Sequence, residues 1–472
     1  MKIALANPVE SNNRQGNVVG YPNMGLLSLI SYVREKTKGD EVQIEYIETM
    51  PMDRHIRMVE KIKPDIYGIS FASHTLTYKK NPYALINEIK SRFPGLPVIC
   101  GGTHPTAMPE DVLERSRADI VCIGEGEETF LELIAYFQGG IRSLSEIKGI
   151  AYRGENGEFI RTAKRKFCDI NSLPMPAWDI IDLNNYSGPH LRKTGGYATC
   201  VLSSRGCPFN CVYCSNPIWR TDKPWFRMKD PKFVVKEIGY LYDRGVREIY
   251  IRADELNPNV GWCLKLCSEI KKAGWKDLYF QCNLRVDAIN DELASALADI
   301  NCWLVYLGIE SVNQRVIDGI DKRFKVEKVP EVCKVLKKYG IQIFGYMMLY
   351  QVWEENKELR WETPSEVDNT IRTTWRLSRA NLLDYISWQF ATPMPGARLW
   401  DIAVRHNLMK KEMKGVWDIN MRIPGVSERR MTRQRLLGFL MQGYFAARKG
   451  RINWRMWKRI LRKMSYVVRS LG

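Results

Sequence analysis

Short β-branched runs alternate with amphipathic stretches of helical period in two separate parts of the chain, and this repeated alternation restricts the fold more than any other feature. Within the first 135 residues MKIALAN, VQIEYIE, DIYGISFA, PVICGG and DIVCIGEG read as strands, with helical patterns such as GLLSLISYVREK and NPYALINEIKSRF between them. Strands separated by helices predict a parallel, doubly wound sheet, which binds ligands beyond the carboxyl ends of its strands. At those ends lie Ser73, His74 and Thr75, then Gly101, Gly102, Thr103 and His104, then Gly124, Glu125, Gly126 and Glu127. From Tyr197 the alternation resumes: ATCVLSSRG, EIYIRA, YFQCNLRV, WLVYLGIE, IQIFGYMML and YISWQFA are strand-like and separated by helical stretches. Six βα units predict a partial (β/α)6 barrel, open on one side and able to admit a large substrate. The fold class is thus α/β: a doubly wound, Rossmann-like domain over 1–140, a linker over 141–195, a partial barrel over 196–400 and a helical, basic region over 401–472. Within the linker GIAYRGENGEFIRT reads as a hairpin turning at Glu155-Asn156-Gly157, and NSLPMPAWDIIDLNNY as a proline-marked crossing segment.

A chain of 472 residues with 45 % hydrophobic content can bury two or three cores. The start, MKIALANPVE, lacks the charged beginning and long apolar run of a secretion signal, and no stretch reaches the roughly 18 uncharged apolar residues of a spanning helix. The expectation is a cytoplasmic enzyme, able to sit peripherally at a membrane. Most of the twelve cysteines are isolated in apolar segments such as PVICGG, where a reduced thiol behaves as a small core residue.

Three cysteines differ. RGCPFNCVYCSNP places Cys207, Cys211 and Cys214 in the loop after the first barrel strand. A tetrahedral zinc site closes with four ligands, usually two close pairs, and no second pair follows at suitable spacing. A [4Fe-4S] cluster can be held by three thiolates, leaving its fourth iron open to another ligand.

CPFNCVYC matches the CxxxCxxC signature of radical S-adenosylmethionine (SAM) enzymes, and the chain resembles them in several further segments. The resemblance implies that Cys207, Cys211 and Cys214 hold a [4Fe-4S] cluster whose unique iron chelates SAM, and that Tyr213 packs beside the adenine. EIYIRADEL resembles the second-strand segment, which puts Asp254 and Glu255 near the SAM amino group; NLRVDAIN resembles the RxD segment, with Arg285 toward the SAM carboxylate. YLGIESVNQRV resembles the GxES segment, with Glu310 facing the ligand, and ATPMPGARLW the PxPGT turn, with alanine in place of threonine. Each carboxylate can also be read as an ordinary barrel-mouth ion pair. One departure stands out: the G-x-P-G-E-T segment common after the fifth strand is replaced by FGYMMLYQVWEENKELRWETPSEVDNT, which keeps only Glu362-Thr363 and is longer.

The N-terminal alternation, with GISFASHT, CGGTHPTAMPE and VCIGEGEETF at its loop ends, resembles the B12-binding domain of cobalamin-dependent radical SAM enzymes, a group that includes C-methylases and cyclases of the anaerobic Mg-protoporphyrin ester type. The resemblance implies that Ser73, Thr75, Gly101, Gly102, His104, Gly124, Glu125 and Gly126 line the corrin. Asp53-Arg54-His55 lacks the following glycine of the DxHxxG motif, since position 58 is Met58, so no lower axial histidine is expected there. His104 is expected to line the cofactor or to serve as a hydrogen-bonded loop histidine. The domain can also be read as holding another nucleotide-like ligand. Together the cofactors imply radical methylation of an unactivated carbon, with oxidative cyclisation or rearrangement as the alternative, and an external electron donor such as flavodoxin or ferredoxin.

Charge points to the partner class. Thirteen cations follow Glu428, the last acid, and account for most of the net charge of +18. In WRMWKRILRKMSYVVRSLG, Trp457, Ile460, Leu461, Met464, Val467, Val468 and Leu471 recur at helical spacing with cations largely elsewhere. The pattern over 448–472 suits an anionic membrane surface, and equally a terminal helix docked on the barrel. The membrane reading favours a lipid, isoprenoid or tetrapyrrole substrate. RNA is the competing partner, but tRNA methylthiotransferases carry a second cysteine triplet in their N-terminal domain, where residues 1–140 hold only Cys100 and Cys122. A sensor that binds SAM without turnover is the non-catalytic alternative.

Overall fold

A computed structural model describes residues 1–8, 20–37, 41–77, 81–189, 191–410 and 419–448; the amphipathic pattern over 449–472 lies outside the described residues. The strands are β1 (Lys2–Ala6), β2 (Gln43–Ile47), β3 (Ile66–Ser70), β4 (Val98–Gly101), β5 (Ile120–Cys122), β6 (Ile150–Arg153), β7 (Phe159–Arg161), β8 (Tyr197–Leu202), β9 (Ser204–Arg205), β10 (Arg227–Met228), β11 (Val246–Arg252), β12 (Tyr279–Leu284), β13 (Cys302–Glu310), β14 (Gln342–Leu349), β15 (Val352–Glu355), β16 (Glu358–Trp361) and β17 (Tyr385–Phe390). The chain forms two compact units, one of 1–192, 196–206 and 216–233, the other of 193–195, 207–215 and the chain from 234 onward.

The first unit carries a sheet of order β2-β1-β3-β4-β5-β6-β7, parallel from β2 to β5. Its faces follow from the two-residue period of a strand. Ala4, Ala6, Tyr67, Ile69, Val98 and Cys100 pack against Ile56, Val59, Leu85, Ile86 and Ile89 from the helices Met52–Ile62 and Pro82–Arg92. Ile3, Leu5, Ile66 and Ile99 pack on the other face against Leu26, Ile30, Val33, Phe130 and Leu133 from Met24–Lys36 and Glu127–Phe137. The order reverses direction at β1/β3, the position at which such sheets open a crevice for ligands. The predicted hairpin is present, but its place differs: β6 pairs antiparallel with β5, so it forms the far edge of this sheet rather than a free connection.

The second sheet has the order β17-β14-β13-β12-β11-β8, and its registers from β11 to β17 are parallel. These are the six strand-like runs of the sequence, in sequence order, forming an open array as a partial barrel requires. The longer segment after β14 folds as an antiparallel hairpin, β15 and β16, and leads into the helix Pro364–Arg379, which Thr363 and Glu366 start with a reciprocal capping box. Glu362 is completely buried and accepts hydrogen bonds from the Ser311 hydroxyl at 2.9 Å and the Tyr350 N–H at 2.8 Å. Among the described residues no helix is long and apolar enough to cross a membrane.

Candidate functional sites in the two units

In the first unit the loops at the carboxyl ends of β3, β4 and β5 are glycine-rich for specific reasons. Gly102 has φ +100°, and a Cβ there would lie 2.8 Å from the Phe71 carbonyl oxygen, so the position tolerates only glycine. Gly124 has φ +85° and donates its N–H to the Thr106 hydroxyl at 3.1 Å. Gly101 and Gly126 differ, because a side chain would meet nothing closer than 3.9 Å at either. An added Cβ would therefore find room at both, and bare backbone at these strand ends is compatible with the close approach of a broad, flat group such as a corrin.

The polar residues expected beside these strand ends are largely committed to one another. Tyr83 donates to Asp111 at 2.6 Å, so its oxygen accepts from His104 Nε2 at 2.9 Å, and Ser73 then donates to His104 Nδ1 at 2.9 Å. Both His104 nitrogens are thus engaged and the ring is 4 % exposed, so His104 is fixed as a scaffold histidine with no nitrogen left for cobalt. The Thr75 hydroxyl turns back to the Ala72 carbonyl. Glu125 pairs with Arg205 at 3.2 Å and with Arg227, while Glu127 takes the second Arg205 nitrogen at 2.5 Å. His55 lies fully buried in Met52–Ile62, 2.8 Å from the Tyr67 hydroxyl, and burial lowers its pKa to about 4. It is a core residue.

In the second unit the segment 207–215 is pinned at its centre: Val212 donates its N–H to the Ile320 carbonyl at 2.9 Å and accepts from the Leu399 N–H at 2.8 Å. Cys214 donates its N–H to the Cys211 carbonyl at 3.1 Å, which puts these two residues on one turn. Cys211 is buried; Cys207 and Cys214 are half-buried. Burial, reinforced by Glu255, Cys214 and Asp254 nearby, pushes the Cys207 thiol up to about 12. No three His, Cys, Asp or Glu side chains among the described residues surround a single metal ion. Three thiols on one short segment are the donor set a four-iron cluster takes, one at each of three corners.

Around this segment stand the strand-end residues named from the sequence. Glu310, at φ +65° where the register of β13 and β14 shifts, accepts from the Tyr213 hydroxyl at 3.0 Å and from Lys322 Nζ at 2.8 Å. Lys322 also lies 3.0 Å from the Tyr213 oxygen and is 6 % exposed. Burial works against its charge, but the Glu310 carboxylate holds its pKa above the ordinary lysine value. Gly308 makes room for this pair, since a Cβ there would sit 2.5 Å from Lys322 Nζ. Arg285, 2 % exposed, pairs through its fork with Asp287 at 2.9 and 3.1 Å, and its guanidinium lies 3.6 Å from the centre of the Phe209 ring. Asp254 points outward. Glu255 points inward, and its Oε1 is buried without a hydrogen-bond partner among the described residues. Burial raises its pKa to about 7 against the pull of Lys322 and Arg285. An orphaned carboxylate oxygen in such a place calls for a cationic ligand group, such as an ammonium.

Sequence reasoning missed Lys322 and gave Asp287 no role. Asp287 completes the RxD segment and was within reach of that motif. Lys322, in DGIDKRF, carries no spacing signal.

The chain matches the B12 binding domain family over residues 19–134 and the Radical SAM superfamily over 201–361. It is 31 % identical over 419 residues to the uncharacterized methyltransferase PH0819 of Pyrococcus horikoshii, covering 87 % of this chain and 84 % of the relative. The chain belongs to the B12-binding radical SAM enzymes. The anaerobic magnesium-protoporphyrin IX monomethyl ester cyclase of Rubrivivax gelatinosus is 26 % identical over 85 % of this chain and 69 % of its own length. Among solved structures, the cobalamin-dependent SAM radical enzyme OxsB, with aqua-cobalamin and SAM bound, superposes with a TM-score of 0.72 at 17 % identity, covering 98 % of this chain and 70 % of OxsB. The radical SAM methyltransferase TsrM from Kitasatospora setae, with cobalamin and a [4Fe-4S] cluster bound, gives 0.66 at 16 % identity over 91 % of this chain and 77 % of its own. Both likenesses carry the two-part α/β fold.

Proposed function

We propose that this enzyme methylates an unactivated carbon of a hydrophobic substrate. The observation that carries the reading is the unpartnered, buried Glu255 oxygen with the buried cations Arg285 and Lys322 near it, in a chain whose first unit also leaves Gly101 and Gly126 bare at its strand ends. Cys207, Cys211 and Cys214 would hold a [4Fe-4S] cluster, Glu255 and Tyr213 would meet SAM, and Gly101 and Gly126 would face cobalamin. Bound there, the cofactors supply a 5′-deoxyadenosyl radical and a transferable methyl group. The protein's own part is to position and to exclude water. The Arg285–Asp287 fork and the Lys322–Glu310 pair are fixed, low-entropy charges that need no reorganisation when a ligand arrives.

Methylation and cyclisation differ in atom balance, and labelling separates them. Cobalamin-loaded, anaerobically reduced enzyme given SAM with a deuterated methyl group is expected to yield a substrate heavier by one labelled methyl in place of one hydrogen. A product that has lost hydrogens and carries no label would instead establish oxidative cyclisation.

A further inference from the structure

In β/α barrels the inward side chains are usually branched aliphatics packed in layers. The inward positions here differ. On β14 the odd positions Ile343, Gly345, Met347 and Leu349 are buried, while Phe344 and Met348 are half-buried and Tyr346 is 36 % exposed. The rings of Tyr250, Tyr306, Phe344, Tyr346 and Tyr385, drawn from four strands, meet on that open side. Tyr346 stacks on Tyr306 with centroids 5.8 Å apart and planes within 16°, and Phe344 stacks on Tyr385 at 6.2 Å and 23°. Tyr250 closes edge-on to Tyr306 at 5.7 Å.

Two of the wall's phenols are tied down. Tyr306 donates to Gln281 at 2.7 Å and Tyr250 to Asn283 at 3.2 Å. The Tyr346 hydroxyl has no hydrogen-bond partner among the described residues, although the ring is held by its neighbours and feels the charge of Glu310. A pre-stacked aromatic row ending in an exposed face and a free hydroxyl suits a flat, conjugated ring better than a flexible chain. The ring loses little entropy on stacking and presents polar edge atoms to the hydroxyl.

We propose that the Tyr306–Tyr346 stack is the substrate platform and that the substrate presents a planar conjugated ring system to it. The proposal rests on the reading of this unit as the substrate-transforming site. The test is equilibrium dialysis of zinc protoporphyrin IX, tryptophan and farnesyl diphosphate against holoenzyme already saturated with cobalamin, which keeps the porphyrin off the corrin site. At least one ring probe is expected to bind saturably and about ten-fold or more tighter than farnesyl diphosphate. Tyr346→Leu should weaken that binding by about ten-fold, while Tyr346→Phe, which keeps the stack and serves as the folding control, should change it by less than about three-fold. Absence of saturable ring binding, farnesyl diphosphate binding as tightly as the rings, or a Tyr346→Leu variant with unchanged ring affinity would each overturn the proposal. Iron and corrinoid contents of the same samples report on the cofactor reading separately, so a failure of one is not mistaken for a failure of the other.

Discussion

Cys211→Ala is expected to reduce 5′-deoxyadenosine formation from SAM to background while leaving the chain folded. Cys211 is the one buried thiol of the three, and the turn that carries it is held by backbone bonds from Cys214, Ile320 and Leu399 that the substitution does not touch. Alanine therefore removes a sulfur and little else. With three thiolates available in the segment, loss of one leaves a cluster two protein ligands. The variant should elute and melt like the parent apoprotein, with its iron content sharply lower. Undiminished 5′-deoxyadenosine production from well-folded Cys211→Ala would show that these cysteines hold no catalytic cluster.

Lys322→Met should strongly destabilise the second unit. It leaves the Glu310 carboxylate, itself 6 % exposed, with the Tyr213 hydroxyl as its remaining hydrogen-bond donor in place of a full positive charge. Removing one partner of a buried ion pair costs about 3–5 kcal/mol, because the other charge stays buried and uncompensated. Replacing both partners is far cheaper, so Lys322→Met combined with Glu310→Gln should recover most of that loss. Urea unfolding of the apoprotein followed by tyrosine and tryptophan fluorescence measures both. A single-variant loss below about 1 kcal/mol would mean that the pair is solvated and behaves as a surface bridge. The Lys322 carbonyl, which accepts from Arg285 at 2.5 Å, belongs to the main chain and stays in the variant, so the loss reads the ammonium–carboxylate pair alone.

The strands of both sheets were legible because each is a β-branched run bounded by turn residues, and the helices between them because their apolar positions recur at helical spacing. The hairpin of β15 and β16 was not. Its two turn residues, Asn356 and Lys357, both have positive φ, at 52° and 66°, as a two-residue hairpin of this hand requires. Lysine stands where glycine usually announces such a turn, which hides the signal. At the site, the residues carried by short motifs were visible, whereas Lys322 was not. The turn after Gln314–Gly319 brings it beside Glu310, twelve residues away in sequence, and nothing local marks it. Two strand-end residues of the first unit show a different limit. Glu125 and His104 sit at the strand ends where ligand residues belong, yet their polar atoms are spent on Arg205, Arg227, Ser73 and Tyr83. A sequence shows that a polar residue lies at a binding edge, but not whether a neighbour has already claimed it.

One chain is expected to carry both cofactors, and each can be counted. Protein purified without oxygen from cells supplied with iron and cobalamin should contain about four irons and about one corrinoid per chain, with the broad visible absorption of an iron–sulfur cluster overlying the corrin bands. Four irons without corrinoid, in a sample where added cobalamin also fails to bind, would contradict the account by removing the methyl carrier from the first unit.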